Sequence, residues 1–293
     1  MSELSIQQQQ LRLRRKLPAE ELRTVGQVVE HYLVEKALAS RLRTAPAERR
    51  PSLYPEIYNE LFRRLPHHPQ LTRKVTPEED RVELQRQLKF LWPHLDANVT
   101  IAEIGAGDCA VSLAISARCK NVIAIDVSET IARRSNWPTN CRFVRTEGVQ
   151  LPLPDAHLDV AYSNQLMEHL HPDDASKQLK EIFRTLRPDG RYVCITPNRV
   201  AGPWDVSEYF DEVATGLHLR EYSVGELINM LLDTGFSKVD VYAGGRGFFT
   251  RVPTQLVQLA EALVLSLPTS LRAPISRWMP VRGLLGLRVV AWK

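Results

Sequence analysis

The stretch that most constrains what this chain can fold into is residues 98–128, NVTIAEIGAGDCAVSLAISARCKNVIAIDVS. Val99 to Ile104 is a short apolar run that Gly105 and Gly107 break, Val111 to Ala117 carries helical spacing, and Val122 to Ile125 is apolar and β-branched up to Asp126. The pattern predicts a strand, a glycine loop, a helix and a second strand ending on an acid, which is half of a nucleotide-binding βαβ unit. Glycines let the backbone turn sharply and approach a ligand without a Cβ in the way, and the helix that follows aims its first N–H groups at that ligand. Asp126, at the end of the second strand, is placed to accept both hydroxyls of a ribose.

Two ligand families use this layout. Gly105-Ala106-Gly107-Asp108-Cys109-Ala110 fits the loose G-x-G-x-x-G/A dinucleotide pattern, and Asp126 follows Gly107 by nineteen residues, so an NAD-dependent oxidoreductase is one reading. Glu103 favours the other: it is a carboxylate two residues before the first glycine, where a dinucleotide fold more often keeps an apolar strand end. With it, the stretch resembles motif I of the class I S-adenosylmethionine (SAM) methyltransferases, E/D-x-G-x-G-x-G. The resemblance implies that Glu103 lies near the methionine ammonium end of SAM, that Gly105, Ala106 and Gly107 form the cofactor loop, and that Asp126 and Val127 flank the ribose. Cys109 stands where that pattern has its third glycine.

A second stretch, FVRTEGVQLPLPDAHLDVAYSNQLMEHL (143–170), resembles the same family's F-x-x-x-D-A-x-x-L-P-F-P-D-x-x-F-D segment. There an acid after the third strand meets the adenine amino group. Here that acid is Glu147, one methylene longer, with Gly148 in place of the small residue beside it. Asn164 and Gln165 fall just past the carboxyl end of a fourth strand, Asp159 to Ser163, where ligands of open α/β sheets collect. Arg73 is a further candidate, since a guanidinium can pair in a fork with the cofactor carboxylate.

Ahead of the first strand, residues 1–18 read as a flexible arm, and residues 19–97 as a helical cap with helices over Ala19 to Arg43, Pro55 to Leu65 and, from a capping box at Thr76 and Glu79, to about Trp92. Behind the fourth strand, Ser176 to Leu186 reads as a helix, Arg191 to Thr196 as strand five, Ser223 to Thr234 as a helix ended by Gly235, and Phe236 to Tyr242 as strand six. Leu287 to Trp292 reads as a last strand, whose place resembles the antiparallel seventh strand of these methyltransferases. The expected fold is α/β: a Rossmann-like seven-stranded sheet, six strands parallel and the seventh antiparallel, with the SAM-binding domain over 98–293 and a helical insertion over 251–286.

A net charge of +4 conceals a segregation. Residues 1–92 hold 17 Lys+Arg against 12 Asp+Glu, residues 93–245 hold 14 against 21, and residues 246–293 hold 7 against 1. An acidic middle suits a cationic sulfonium, and basic flanks suit an anionic acceptor or an anionic membrane surface. The stripe Leu256, Leu259, Leu263 and Leu267 in the insertion reads as a packed lid or as a face for peripheral membrane contact. No run of about 18 uncharged apolar residues suggests a transmembrane helix, the amino terminus lacks the apolar core of a signal peptide, and four scattered cysteines read as reduced thiols of a cytoplasmic protein.

Methyl transfer from a sulfonium is an in-line displacement in which the protein binds, aligns and excludes water. A neutral nitrogen acceptor needs no base, but a hydroxyl or a carbon acid does. The candidate bases are His169 and His171 after strand four, and His218 with Tyr209 in the loop after strand five, where the resembled fold builds its substrate wall; His218 and His169 lead. No metal is dictated. The reading is a methyltransferase acting by O- or C-methylation on a small-molecule, glycan or lipid-linked acceptor, with nucleic acid disfavoured; the alternatives are the oxidoreductase or a non-catalytic module that keeps the fold.

Overall fold

The computed structural model describes residues 11–19, 21–72, 77–128, 137–245 and 247–293. The expected cap at Thr76 and the candidate Arg73 lie outside these residues. The first helix, α1 (Val25–Thr44), starts later than Ala19 because a capping box fixes its beginning: the Gln27 N–H donates to Thr24 Oγ1 at 3.2 Å and the Thr24 N–H donates to Gln27 Oε1 at 2.8 Å. Helix α2 (Arg50–Arg64) follows a short linker with Pro51 in its first turn, and α3 (Pro77–Leu91) leads to the sheet.

The elements then alternate: β1 (Thr100–Ile104), α4 (Ala110–Ser116), β2 (Asn121–Asp126), β3 (Cys141–Arg145), β4 (Leu158–Asn164), α5 (Pro172–Thr185), β5 (Leu186–Thr196), α6 (Val224–Thr234), β6 (Lys238–Gly245), β7 (Phe248–Val252), α7 (Thr254–Ser266), α8 (Thr269–Arg277), α9 (Met279–Leu285) and β8 (Leu287–Trp292). The strand order is β3-β2-β1-β4-β5-β8-β6-β7, with β8 antiparallel to both β5 and β6. Leu287–Trp292 is therefore the antiparallel strand expected. The count is corrected from seven strands to eight, because Phe248–Val252 folds back on β6 as an antiparallel edge hairpin. That strand takes in Arg251 and Val252, so the helices before β8 occupy 254–285.

Side chains alternate across the sheet and give it two apolar faces. Ala102, Ile104, Ile123, Ile125, Tyr192, Cys194, Val289 and Ala291 face one core, and Ile101, Val122, Val160, Tyr162, Val193 and Val290 face the other. Leu38 and Leu42 of α1, with Tyr54, Ile57 and Leu61 of α2, are buried in the first of these cores, so the helices ahead of the sheet are part of its main apolar body. They lie over the side on which α5 packs, close to the carboxyl ends of the strands. No helix among the described residues is long and apolar enough to cross a membrane.

Candidate active site

The glycine loop, which continues β1, is hydrogen-bonded to the end of β2. The N–H groups of Gly105 and Ala106 donate to Ile125 O at 2.8 and 3.0 Å, and the Gly107 N–H donates to Asp126 Oδ2 at 2.8 Å. Asp126 Oδ1 accepts the Ser128 N–H at 2.9 Å. Each carboxylate oxygen so keeps a lone pair for a further donor, which is what two ribose hydroxyls require. Burial raises the Asp126 pKa, against the pull of the N–H bonds from Ser128 and Gly107.

Gly105 and Gly107 have positive φ (75° and 52°), and they need to be glycine for different reasons. A Cβ on Gly105 would stand 3.0 Å from Leu166 Cδ1, whereas nothing lies within 4 Å of a Cβ placed on Gly107. The tip of the loop thus presents bare backbone to open space, and a side chain there would fill the place a ligand's polar edge would take. Cys109, at the third-glycine position, keeps the left-handed geometry at φ 63° with its side chain buried against Ala106 and Ala124.

Glu103 points to the face that α4 covers. Its Oε2 accepts the Ser112 N–H at 2.9 Å and the Ser112 hydroxyl at 2.5 Å, which fastens the first turn of α4 to β1. Burial pushes Glu103 up to about 8 despite those two donors, and Asp108 and Asp126 add to the rise. A cation brought to this end of the sheet would relieve that accumulation of negative charge.

Glu147 is exposed after β3, and beside it Gly148 turns at φ 95° directly under α2. A Cβ on Gly148 would meet Tyr54 Cδ2 at 3.2 Å. Asn164 ends β4, and Gln165, at φ 56°, donates its N–H to Ile195 O at 2.8 Å. Glu103, the glycine loop, Asp126, Val127, Glu147, Gly148, Asn164 and Gln165 thus all lie at the carboxyl ends of β1 to β4.

His169 and His218 meet edge to face with ring centroids 4.8 Å apart. His169 donates Nδ1–H to Leu217 O at 3.1 Å, which leaves Nε2 with a lone pair, and burial lowers its pKa to about 3. His218 donates Nδ1–H to Glu221 Oε1 at 2.8 Å. Burial opposes charge on His218, but the Glu221 bond and the nearby Glu168 and Asp205 carboxylates outweigh it and raise the ring to about 9.

Three acids that sequence reasoning did not single out complete this cluster. Glu168 is fully buried; its Oε2 accepts from Thr196 Oγ1 at 2.9 Å, and its Oε1 has no hydrogen-bond partner among the described residues. Burial raises it to about 7. Glu221 also accepts the Trp204 N–H at 2.7 Å, and Asp205 Oδ2 accepts the His218 N–H at 3.3 Å. The available signal was Glu168 standing next to His169 in MEHL.

Helix α1 holds the loop that carries His218. Arg43 donates to Thr215 O, Gly216 O and His218 O at 2.9 to 3.1 Å, and Glu35 Oε2 accepts the Leu217 N–H at 3.2 Å. Burial works against the Glu35 charge, but the hydrogen bond with His31 Nε2 at 2.7 Å prevails and holds it at about 2. Tyr58 of α2 stands edge-on to His169 at 6.2 Å.

Two cavities open beside this cluster. One of about 130 Å³ is lined by Gln165, Thr196, Asn198, Trp204, Arg282 and Arg288. Neither arginine has a carboxylate partner among the described residues; Arg282 lies over the Trp204 ring and Arg288 over Phe249, Arg288 Nη1 is buried without a hydrogen-bond partner among those residues, and burial together with Arg282 lowers the Arg288 pKa. A larger cavity of about 700 Å³ is lined by Arg14, Arg15, Arg199, Arg220 and Arg272, with Glu221 in its wall.

Residues 102–194 match the sequence model of a family described as a methyltransferase domain. A protein of Mycobacterium tuberculosis named "Probable S-adenosylmethionine-dependent methyltransferase" is 34% identical over 143 residues, 48% of this chain and 49% of that protein. A ubiquinone/menaquinone biosynthesis C-methyltransferase of Rickettsia bellii is 28% identical over 119 residues, 37% of this chain and 47% of its own length. The chain spans about half the length of the curated relatives it matches. Among solved structures, a chain from the complex between the Haloferax volcanii Trm112 methyltransferase activator and a methyltransferase superposes with a TM-score of 0.53 at 17% identity, covering 76% of this chain and 95% of that one. A SAM-dependent methyltransferase from Archaeoglobus fulgidus does so with 0.51 at 16%, covering 73% and 94%. These two likenesses concern the fold. Residues 102–194, which run from β1 to β5, thus match a methyltransferase-domain family, within a sheet whose fold is similar to that of the two solved structures.

Proposed function

We propose that the protein binds SAM across the carboxyl ends of β1 to β4 and methylates an anionic acceptor, a small molecule, glycan or lipid-linked compound, at oxygen or carbon. The observation that carries this reading is the left-handed glycine loop with a Cβ-free tip at Gly107, tied by its own N–H to the Asp126 carboxylate. Asp126 would take the ribose, Glu147 and Gly148 the adenine edge, and Glu103 would favour the ammonium end by charge. SAM bound there supplies an electrophilic methyl group on a sulfonium. Calorimetry should show saturable SAM binding with no comparable response to NAD, and Asp126→Ala should weaken it by about 1–3 kcal/mol, the scale of lost charged hydrogen bonds. Unchanged affinity in that variant would remove Asp126 from the ribose site.

The proton of a hydroxyl or carbon acid passes in this proposal to the cluster beyond β4. His169 offers a free lone pair to receive the proton, and Glu168, with its Oε1 unpartnered among the described residues and its pKa raised to about 7, is the stronger base of the cluster and the one that keeps it. His218, held as a cation by Glu221 and Glu168 at neutral pH, acts by its charge and not as the first base. Arg282 and Arg288, without acidic partners, support an anionic group on the acceptor. Release of S-adenosylhomocysteine in the presence of a small-molecule and lipid extract should fall by about 10²–10⁴ in His169→Ala while SAM affinity holds. Full turnover in that variant would exclude His169 as base, and no turnover in the unaltered protein would favour the non-catalytic module.

A further inference from the structure

The cluster beyond β4 has a property that proton transfer leaves unused. Glu168, His169 and His218 each bring one ligand atom to a common place, and these atoms all lie within 4.8 Å of one another. Glu168 and His169 stand in the turn after β4 and His218 in the connection after β5, so the sheet assembles them from separate parts of the chain.

The hydrogen bonds around the cluster are all made on its outer side. His169 Nδ1–H is committed to Leu217 O at 3.1 Å and His218 Nδ1–H to Glu221 Oε1 at 2.8 Å. A backbone carbonyl and a carboxylate are the partners that metal-bound imidazoles take, because they fix the tautomer whose Nε2 lone pair is available and hold the ring toward the ion. Thr196 Oγ1 donates to Glu168 Oε2 at 2.9 Å and leaves the buried Oε1 with no hydrogen-bond partner among the described residues. A buried polar atom without a partner is a deficit that a cation removes. Glu221 and Asp205 also face His218, so the carboxylates that attract a proton to that ring attract a dication in the proton's place.

His31, Glu35 and His68 lie within the same distance of one another but lack free lone pairs. His31 Nδ1 accepts from the Arg23 guanidinium and His68 Nδ1 accepts from the Gln70 N–H at 3.2 Å, so both rings carry their hydrogen on Nε2. That group is a closed hydrogen-bonded unit with a cation already against it.

We infer that Glu168 Oε1, His169 Nε2 and His218 Nε2 bind one first-row transition-metal dication such as Zn²⁺, with a position left open for an oxygen of the acceptor. Two imidazoles and a carboxylate are donors that Zn²⁺ takes while keeping a fourth position for water or substrate, whereas Mg²⁺ calls for oxygen ligands. Separations of up to 4.8 Å need to close by at most about 1.4 Å to reach the roughly 3.4 Å between ligands of a tetrahedral ion. What the ion does there rests on the proposed methylation. An acceptor hydroxyl that ligates it releases its proton to solvent more readily; the oxygen anion then forms the new bond to the methyl carbon, and the electrons of the C–S bond return to sulfur. With the ion in place the three side chains are its ligands, and they take the acceptor's proton only in the metal-free cluster.

The test is calorimetric titration of the full chain, stripped by a chelator and then freed of it, with ZnCl₂ and separately with MgCl₂. One Zn²⁺ per chain is expected, bound at least about a hundredfold more tightly than Mg²⁺. Glu168→Gln, which keeps the shape of the buried side chain, and His169→Gln should each weaken Zn²⁺ by at least about tenfold, while His68→Gln leaves it unchanged. Circular dichroism shows whether each variant is folded, and Co²⁺ in place of Zn²⁺ should give the unaltered protein a visible absorption that Glu168→Gln changes. No saturable Zn²⁺ binding, equal affinity for Mg²⁺, or a loss in His68→Gln with none in Glu168→Gln would overturn the inference. The titration needs neither SAM nor acceptor, so its failure is distinct from that of the methylation. Zn²⁺ binding without turnover supports the site and counts against the methylation, whereas turnover by a stripped protein that binds no Zn²⁺ keeps the methylation and overturns the site.

Discussion

Replacing Arg50 by methionine is expected to lower the unfolding free energy by about 3–5 kcal/mol, the cost of leaving a buried carboxylate without its partner. Arg50 Nε and Nη2 donate to Asp174 Oδ2 and Oδ1 at 2.7 and 2.9 Å, both side chains are almost fully buried, and the Tyr54 hydroxyl donates to the same Asp174 Oδ2 at 3.0 Å. The pair joins α2 to the first turn of α5 across 124 residues of sequence. Asp173, one position earlier and mostly exposed, contacts the same guanidinium at 3.4 Å, so Asp173→Ala should cost less than about 1 kcal/mol. Urea unfolding of the two variants distinguishes them. Adding Asp174→Leu to Arg50→Met should restore much of the loss, because the isolated charge is then gone; equal destabilisation in the double variant would assign the effect to packing. Tyr54 also roofs Gly148, so Arg50→Met should weaken SAM binding as well.

The second large effect is a pH dependence. His218 faces Glu221 and Asp205 from the region after β5, and Glu168 and His169 from the turn after β4; its pKa is about 9 in the fold against about 6.5 unfolded. A raised pKa contributes stability that is fully present below the unfolded value and is lost as pH rises through the folded one. The contribution should therefore be complete below about pH 6.5 and gone above about pH 9, a loss of roughly 3 kcal/mol across that window. Glu168, raised to about 7, is ionised over the upper part of the window and supports the imidazolium there. Urea unfolding at both ends of the window should show this loss in the unaltered protein, added to a loss of about 2 kcal/mol from Glu103, whose raised pKa of about 8 acts in the same direction, and only the Glu103 part in His218→Gln. A parallel pH profile in the variant would show that another group is responsible.

The parts of the molecule that were legible in the sequence are those with local causes. The strand, glycine loop and second strand follow from apolar runs and from glycines at positions that require positive φ, and α6 follows from Ser223, Glu226 and Gly235 at its two ends. Strand β7 was not legible: Arg251 and Val252 read as part of the helical insertion, and the pairing of Phe249 with Gly244 depends on β6 already being in the sheet. The same holds for the polar cluster. His218 was visible as a histidine near the substrate wall, but that it is a cation depends on Glu168, Asp205 and Glu221, which come from two separate connections and obey no periodicity. The Arg50 and Asp174 pair is likewise invisible until α2 lies on α5.

The position of β8 also bears on how the chain acquires its shape as it is synthesised. Leu287, Val289, Val290 and Ala291 are fully buried between β5 and β6, yet they are made after every other described strand of this sheet. Strands β1 to β5 can pair with one another as they emerge. The β6 and β7 hairpin has no other strand to join, so it waits as an unattached ribbon while α7, α8 and α9 are made, and β5 meanwhile presents an open edge. Completion of the sheet is thus a late, long-range event joining residues about fifty to a hundred positions apart. Through that interval the protein is most exposed to edge pairing with other chains, and this is the stage at which assistance during synthesis would matter most.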